Sequence, residues 1–181
     1  MISAKIVGMG AVGPNGLNKE DFFRSVSEGR TNVGQEGLAS LSELQWQALK
    51  ELTPAQFQDS HCTVLSATAL AHALAEASWL PRDLADCGFI FASTTSQIDQ
   101  WEPDLPKYQS PQYDIAKIRA GVNNQSLGTP AIRLSERFKI SGPRALIASS
   151  CSASLQALAT AMIWIRTGRV RRCVVGATEI H

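Results

Sequence analysis

Two apolar rhythms alternate along the chain. The first is short and unbroken: Ile2–Val7 ("ISAKIV"), Gly88–Ala92 ("GFIFA"), Ala145–Ala148 ("ALIA") and Cys173–Ala177 ("CVVGA") each predict a short strand. The second has helical spacing. Asn18 is placed to cap a helix over "KEDFFRSVSEGR", with acidic residues in its first turn and Gly29 near its end. "SELQWQALKEL" predicts a surface helix within a polar stretch, and alanine-rich Thr63–Trp79 a buried one. Ser126–Phe138 and Ser152–Thr167 predict two more, whereas residues 101–125, with three prolines, predict a long loop with one short helix. Apolar strands of four or five residues alternating with helices imply an α/β sheet covered on both faces.

The helix over Ser152–Thr167 is apolar on every side, as expected of a central helix under more than one layer. Leu155, Leu158, Met162 and Ile165 form a stripe expected to pack on one side. Ala153, Ala157, Ala159 and Ala161 would let neighbours approach closely on the others. No charge interrupts Ala145–Ile165, a length that would suit a membrane span. The polar "SSCSAS" in its first half, with Gln156 and Thr160 beyond, favours a helix buried in protein.

Composition narrows the partners. In 181 residues, 17 Lys and Arg face 16 Asp and Glu, a net charge of +1, with 44% hydrophobic residues. That provides one sizeable core and no basic field for nucleic acid or membrane. Arg166, Arg169, Arg171 and Arg172 gather at a helix end, where they suit the C-terminal dipole better than an acidic carrier protein. Cys62, Cys87, Cys151 and Cys173 have neither CxxC nor metal-site spacing, so no metal is expected. The opening "MISAKIVGMGAVG" lacks a signal-peptide core, which predicts a reducing cytoplasm. Its glycines match a bare GxGxxG, but Pro14-Asn15-Gly16 breaks the helix that a nucleotide pyrophosphate would need.

Cys151 carries the chemistry. It sits at the joint between a predicted strand and a predicted helix, where unpartnered N–H groups and the helix dipole favour a thiolate and can hold an oxyanion. An isolated cysteine is more often a small core residue, as Cys173 is expected to be. The position at the joint favours a nucleophile. His61 and His72 are expected to be packed or surface residues.

Four blocks in register then resemble the N-terminal half of the β-ketoacyl synthases, condensing enzymes of the thiolase-like superfamily. They are "KIVGMGAVGPNG...FFRSVSEGRTNVG", "FIFASTTSQ", "SLGTPAIRLSERFKISGPRALIASSCSASLQAL" and "RVRRCVVGATE". The resemblance implies an α/β thiolase-like fold, a mixed β-sheet between helical layers, with residues 1–181 forming an N-terminal domain cut short at its C-terminal end. It implies that Cys151 is the nucleophile and supplies one oxyanion-hole N–H, without metal or cofactor. The reaction implied is decarboxylative Claisen condensation of fatty acid or polyketide synthesis. The implied partners are acyl carrier protein or CoA thioesters, the synthase's C-terminal half, and a second subunit in a homodimer or a heterodimer with a ketosynthase-like chain. Ala145–Ala148 would lie at that boundary.

Ser149-Ser150 stands where the family has Thr-Ala, and Gly176-Ala177 where it has Gly-Gly. The family's two catalytic histidines match none of His61, His72 and His181. A non-condensing acyltransferase on the same fold and a non-catalytic carrier-docking or scaffold subunit remain as alternatives.

Overall fold

Five consecutive residues without a polar side chain, Gly88–Ala92, can be satisfied only by cover on both faces of a sheet. The structure, a computed structural model, describes residues 3–58, 60–108, 114–116, 119 and 126–180, and there this segment is the central strand, buried at all five positions. In chain order the elements are α1 (Lys19–Ser27), α2 (Glu43–Glu51), α3 (His61–Ala77), α4 (Pro81–Leu84), β1 (Gly88–Ala92), α5 (Ile98–Trp101), α6 (Leu105–Tyr108), α7 (Thr129–Phe138), β2 (Arg144–Ile147), α8 (Ala153–Arg166) and β3 (Cys173–Ala177). The described strands run parallel in the order β2-β1-β3, with Ile90 opposite Ala145 on one side and Val175 on the other. Among the described residues the sheet is wholly parallel, and no antiparallel strand of the expected mixed sheet is found there.

Alternation along β1 divides the core. Phe89 and Phe91 enter a cluster with Cys62, Ala67 and Leu70 of α3 and Ala131 and Leu134 of α7. Ile90 and Ala92 face the other way, under Ala153, Ala157, Ala161 and Trp164 of α8. Helices therefore cover both faces of the sheet.

The helices begin where short polar side chains satisfy their first amides. Asn18 accepts from the Asp21 N–H at 2.8 Å. Ser42 and Gln45 form a reciprocal capping box at α2. Ser60 accepts from the Thr63 N–H, so α3 starts at His61 rather than Thr63. α7 starts three residues later than expected, because Ser126–Gly128 forms a turn closed by the Thr129 N–H on the Ser126 carbonyl. Two short helices, α5 and α6, joined by a 3₁₀ turn at Glu102–Asp104, occupy 98–108 and so enter the region 101–125 where a loop with one helix was expected; most of 109–125 lies outside the described residues.

Two expectations require correction. The strand at Ile2–Val7 does not form: Ile2 lies outside the described residues, and residues 3–7 carry no strand pairing. No described strand lies beside them, and Ile6 stays 66% exposed, so the β-forming composition has no ladder to join. Gly8 and Gly10 instead press on α3, tied by the Met9 N–H to Glu76 at 2.7 Å. A Cβ on Gly10 would fall 1.9 Å from the Ala69 carbonyl oxygen, so this glycine serves close packing.

The second correction concerns α8. The buried stripe is Ala153, Ala157, Ala161 and Trp164, whereas Leu155, Leu158, Met162 and Ile163 are exposed, Leu155 at 69%. Of the expected packing stripe, Ile165 alone joins the core.

The opening contact gives a direct test. Gly10→Ala is expected to lower unfolding stability by about 1–3 kcal/mol in urea titration. Gly34→Ala, whose Cβ would meet its nearest neighbour at an ordinary 3.6 Å, is expected to change it by less than about 0.5 kcal/mol.

Candidate active site

The chain leaves β2 and must reverse into α8 within a few residues. It does so through a single 3₁₀ turn, Ser150–Ser152, with Cys151 at its centre. Ser150 holds a left-handed backbone at φ 49°, which costs a non-glycine residue about 1–2 kcal/mol. The serines around the cysteine stabilise that turn. Ser152 Oγ donates to the Ser149 carbonyl at 2.9 Å and accepts from Gln156 Nε2 at 2.9 Å. The Ser152 N–H closes on the Ser149 carbonyl and the Ala153 N–H on the Ser150 carbonyl. Cys151 is therefore two residues ahead of the α-helix rather than one.

The Cys151 side chain is exposed, and it opens onto a cavity of about 240 Å³. The cavity lies at the carboxyl ends of the parallel strands, where α/β sheets place their ligands. Ala92 ends β1 and Ala177 ends β3; Ser150, Ala153 and Ser154 come from the turn and the start of α8, and Thr178 and Glu179 from the segment after β3. Ala92, Ala153 and Ala177 give the cavity small apolar walls beside the thiol.

Sequence reasoning did not single out Glu179. Its carboxylate accepts from the Thr94 N–H at 2.6 Å, the Thr95 N–H at 3.0 Å and the Thr95 hydroxyl at 2.6 Å. Partial burial pushes the carboxyl pKa up, and the hydrogen bonds from Thr95 and Thr94 outweigh it, so the group is held below the usual carboxylate range. Beside it, the Thr178 and Ser66 hydroxyls meet at 2.5 Å, tying the end of β3 to α3. The available signal was a carboxylate two residues beyond the end of an apolar strand, in "GATE".

The other candidates lie elsewhere. His61 stacks on Trp46 with centroids 4.1 Å apart, and neither it nor His72 lines the cavity; His181 is outside the described residues. Cys62 and Cys87 are buried and Cys173 is partly buried. Burial pushes the thiols up, Cys62 to about 12, Cys87 to about 11 and Cys173 to about 12. Arg169 lies 4.7 Å over the Trp164 ring, and Arg172 sits 3.2 Å from Asp83. These arginines follow α8, whose 14 residues span about 21 Å, so they occupy the end of the helix opposite Cys151. Among the described residues, no group of three or more His, Cys, Asp or Glu side chains is gathered to hold a metal, and no helix is long and apolar enough to cross a membrane.

The family model of the β-ketoacyl synthase N-terminal domain matches residues 50–181, most of the chain, including the cysteine turn and both edge strands. The chain belongs to the β-ketoacyl synthase family. Its fold is similar to that of a ketosynthase bound to a hexaketide in complex with its type II polyketide acyl-carrier protein, with TM-score 0.78 and 17% identity over 97% of this chain and 50% of that one. The ishigamide ketosynthase/chain length factor gives 0.74 and 22% identity over 97% and 52%. A ketosynthase in complex with its chain length factor from Xenorhabdus doucetiae gives 0.61 and 21% over 100% and 49%. The chain thus spans about half the length of these synthase structures. No curated protein matches it.

Exposure and thiol environment within this synthase domain predict selective chemistry. Iodoacetamide at neutral pH is expected to alkylate Cys151 ahead of the other three cysteines, read by peptide mass spectrometry on folded protein. Cys62, Cys87 and Cys173, buried or partly buried with their thiols pushed up by burial, should react fully only when the protein unfolds. Equal labelling of all four at neutral pH would make Cys151 an ordinary thiol.

Proposed function

We propose that this chain is the nucleophile-bearing half of a condensing enzyme that extends acyl chains held as thioesters. The observation that carries the reading is the exposed Cys151 on a tight strand-to-helix turn, opening onto a cavity at the strand ends in a β-ketoacyl synthase domain. Cys151 Sγ attacks the carbonyl carbon of an acyl thioester on a carrier protein or CoA. The carrier's C–S bond breaks, its thiol leaves with the proton, and an acyl-cysteine remains. A malonyl thioester then loses carbon dioxide. Its enolate carbon bonds to the cysteine-held carbonyl, and the Cys151 thiolate departs to give a β-ketoacyl thioester.

With the Ser152 and Ala153 amides committed to the turn, the oxyanion donor assigned here is the Cys151 N–H. The second donor and the groups that stabilise the enolate come from polypeptide corresponding to the other half of the matched structures. That half covers the apolar face of Leu155, Leu158, Met162 and Ile163. β2 has a described neighbour on one side only, and a second ketosynthase-like subunit, identical or not, pairs along it. The likeness to ketosynthases solved with a chain length factor or a carrier protein supports both partners. The setting proposed is the cytoplasm, in fatty acid or polyketide synthesis, with no cofactor.

The test uses the complete enzyme with acyl-carrier and malonyl thioesters. Wild type is expected to gain the acyl mass on Cys151 and to release a product two carbons longer, and Cys151→Ala to lose both. Acylation without malonyl-dependent extension would indicate a non-condensing acyltransferase. Failure to acylate would leave a scaffold role. Sedimentation equilibrium is expected to give a dimer mass; a monodisperse monomer would remove the second subunit from the proposal.

A further inference from the structure

We propose that Glu179 is a positioning residue of the Cys151 cavity: its carboxylate clamps the loop after β1 onto the segment after β3 and so fixes the acyl-binding wall. This assignment rests on acyl transfer at Cys151. Neither Cys151 nor any residue of its turn takes part in the clamp, so the two can fail separately.

β1 and β3 are parallel neighbours, and their ladder runs out at the cavity, where the Thr178 N–H reaches the Ala92 carbonyl at 3.1 Å. Beyond that bond, two segments 85 residues apart must hold together without strand pairing. Glu179 joins them. One carboxylate oxygen takes the Thr94 N–H, and the other takes the Thr95 N–H and hydroxyl. The Thr95 hydroxyl has one proton. It gives that proton to Glu179 and accepts the Ile180 N–H at 3.3 Å, so the ring of donors closes with fixed polarity.

The loop that is clamped has little other freedom. Ser93 Oγ accepts the Ser96 N–H at 2.8 Å, Ser96 lies at φ 51°, and Ser96 Oγ donates to the Leu127 carbonyl at 3.3 Å. Ser93, Ser96 and Gln97 are buried, whereas Thr94 is exposed and Thr95 half-buried, so the loop is anchored at both ends and meets the exposed Glu179 at its surface-facing bend. On the other side of Glu179, the Thr178–Ser66 hydroxyl pair anchors the β3 end to α3. Consecutive residues 178 and 179 thus bind two different elements, and both line the cavity that holds Cys151. Loss of the carboxylate would loosen the Thr178–Glu179 wall of the cavity from the loop after β1, without touching the sulfur.

The experiment compares wild type, Glu179→Gln, Thr95→Val and the double variant in the complete enzyme. It uses hexanoyl- and dodecanoyl-CoA as acyl donors and iodoacetamide as a small electrophile. Hydrogen bonds to a charged group set the scale: the ratio of thioester acylation to iodoacetamide alkylation at Cys151 is expected to fall about tenfold in Glu179→Gln. The fall should appear mainly in KM, and more strongly for the longer chain. Thr95→Val is expected to lower the ratio about threefold, and the double variant to be no worse than Glu179→Gln, because both act through one contact. Amide exchange at Thr94 and Thr95 should accelerate in both single variants.

An unchanged ratio in Glu179→Gln, or single-variant effects that multiply in the double variant, would overturn the assignment while acyl transfer stood. A fall in iodoacetamide alkylation equal to that in acylation would also overturn it, by showing general disruption. Wild type that takes neither acyl group would overturn acyl transfer, and this assignment with it.

Discussion

How closely α8 lies on the sheet governs the cysteine end of the molecule, because the helix meets the strands through Ala153, Ala157 and Ala161. These recur every fourth residue, and their methyl groups let the helix settle on Ile90 and Ala92. Trp164 fills the wider space at the far end, capped by the Arg169 guanidinium. That approach sets where the helix begins, and hence how tightly the chain must turn on leaving β2. The left-handed Ser150 follows from it, and the hydroxyls of Ser149 and Ser152 support the turn that carries Cys151. Larger side chains on the stripe would lift the helix and slacken the turn.

The same contact gives α8 two unequal faces. Its small side is used up on the sheet, and its large side, around Leu155 and Ile163, is exposed. Cys151 stands where the two meet, at the helix start, beside a cavity whose walls in this chain are strand ends and the segment after β3. Glu179 holds those ends together as an ionised group. Its carboxyl is held below the ordinary range, so its contribution to stability is full at neutral pH and is lost as pH falls through its lowered folded value.

Much of this was legible locally. β1 and β3 fall where "GFIFA" and "CVVGA" placed them, since an uninterrupted apolar run has one reading when it is too short for a helix. Asn18 capped the helix it was expected to cap. β2 is displaced by one residue: Arg144 can join an edge strand with its charge in solvent, and Ala148 is drawn into the approach to the cysteine turn. The opening segment misled, because its strand-like composition says nothing about whether another strand will be beside it. The cysteine was legible because strand, serines and helix adjoin in sequence. Glu179 was not, because its donors lie 84 and 85 residues earlier and leave no periodic trace.

The sequence by itself determined what most of the described segments are, the opening one excepted, and where Cys151 stands between two of them. Those are outcomes of capping, alternation and chain continuity over a few residues. Only the tertiary structure decided which side of α8 meets the sheet. With only Ser154, Gln156, Thr160 and Arg166 among its apolar residues, α8 has no broad polar face to orient it, so the choice passed to size: alanine-sized side chains fit the close contact with the strands, and the leucines do not. The cavity wall was likewise decided at distance, by a carboxylate that finds its donors only after β1 and β3 have become neighbours.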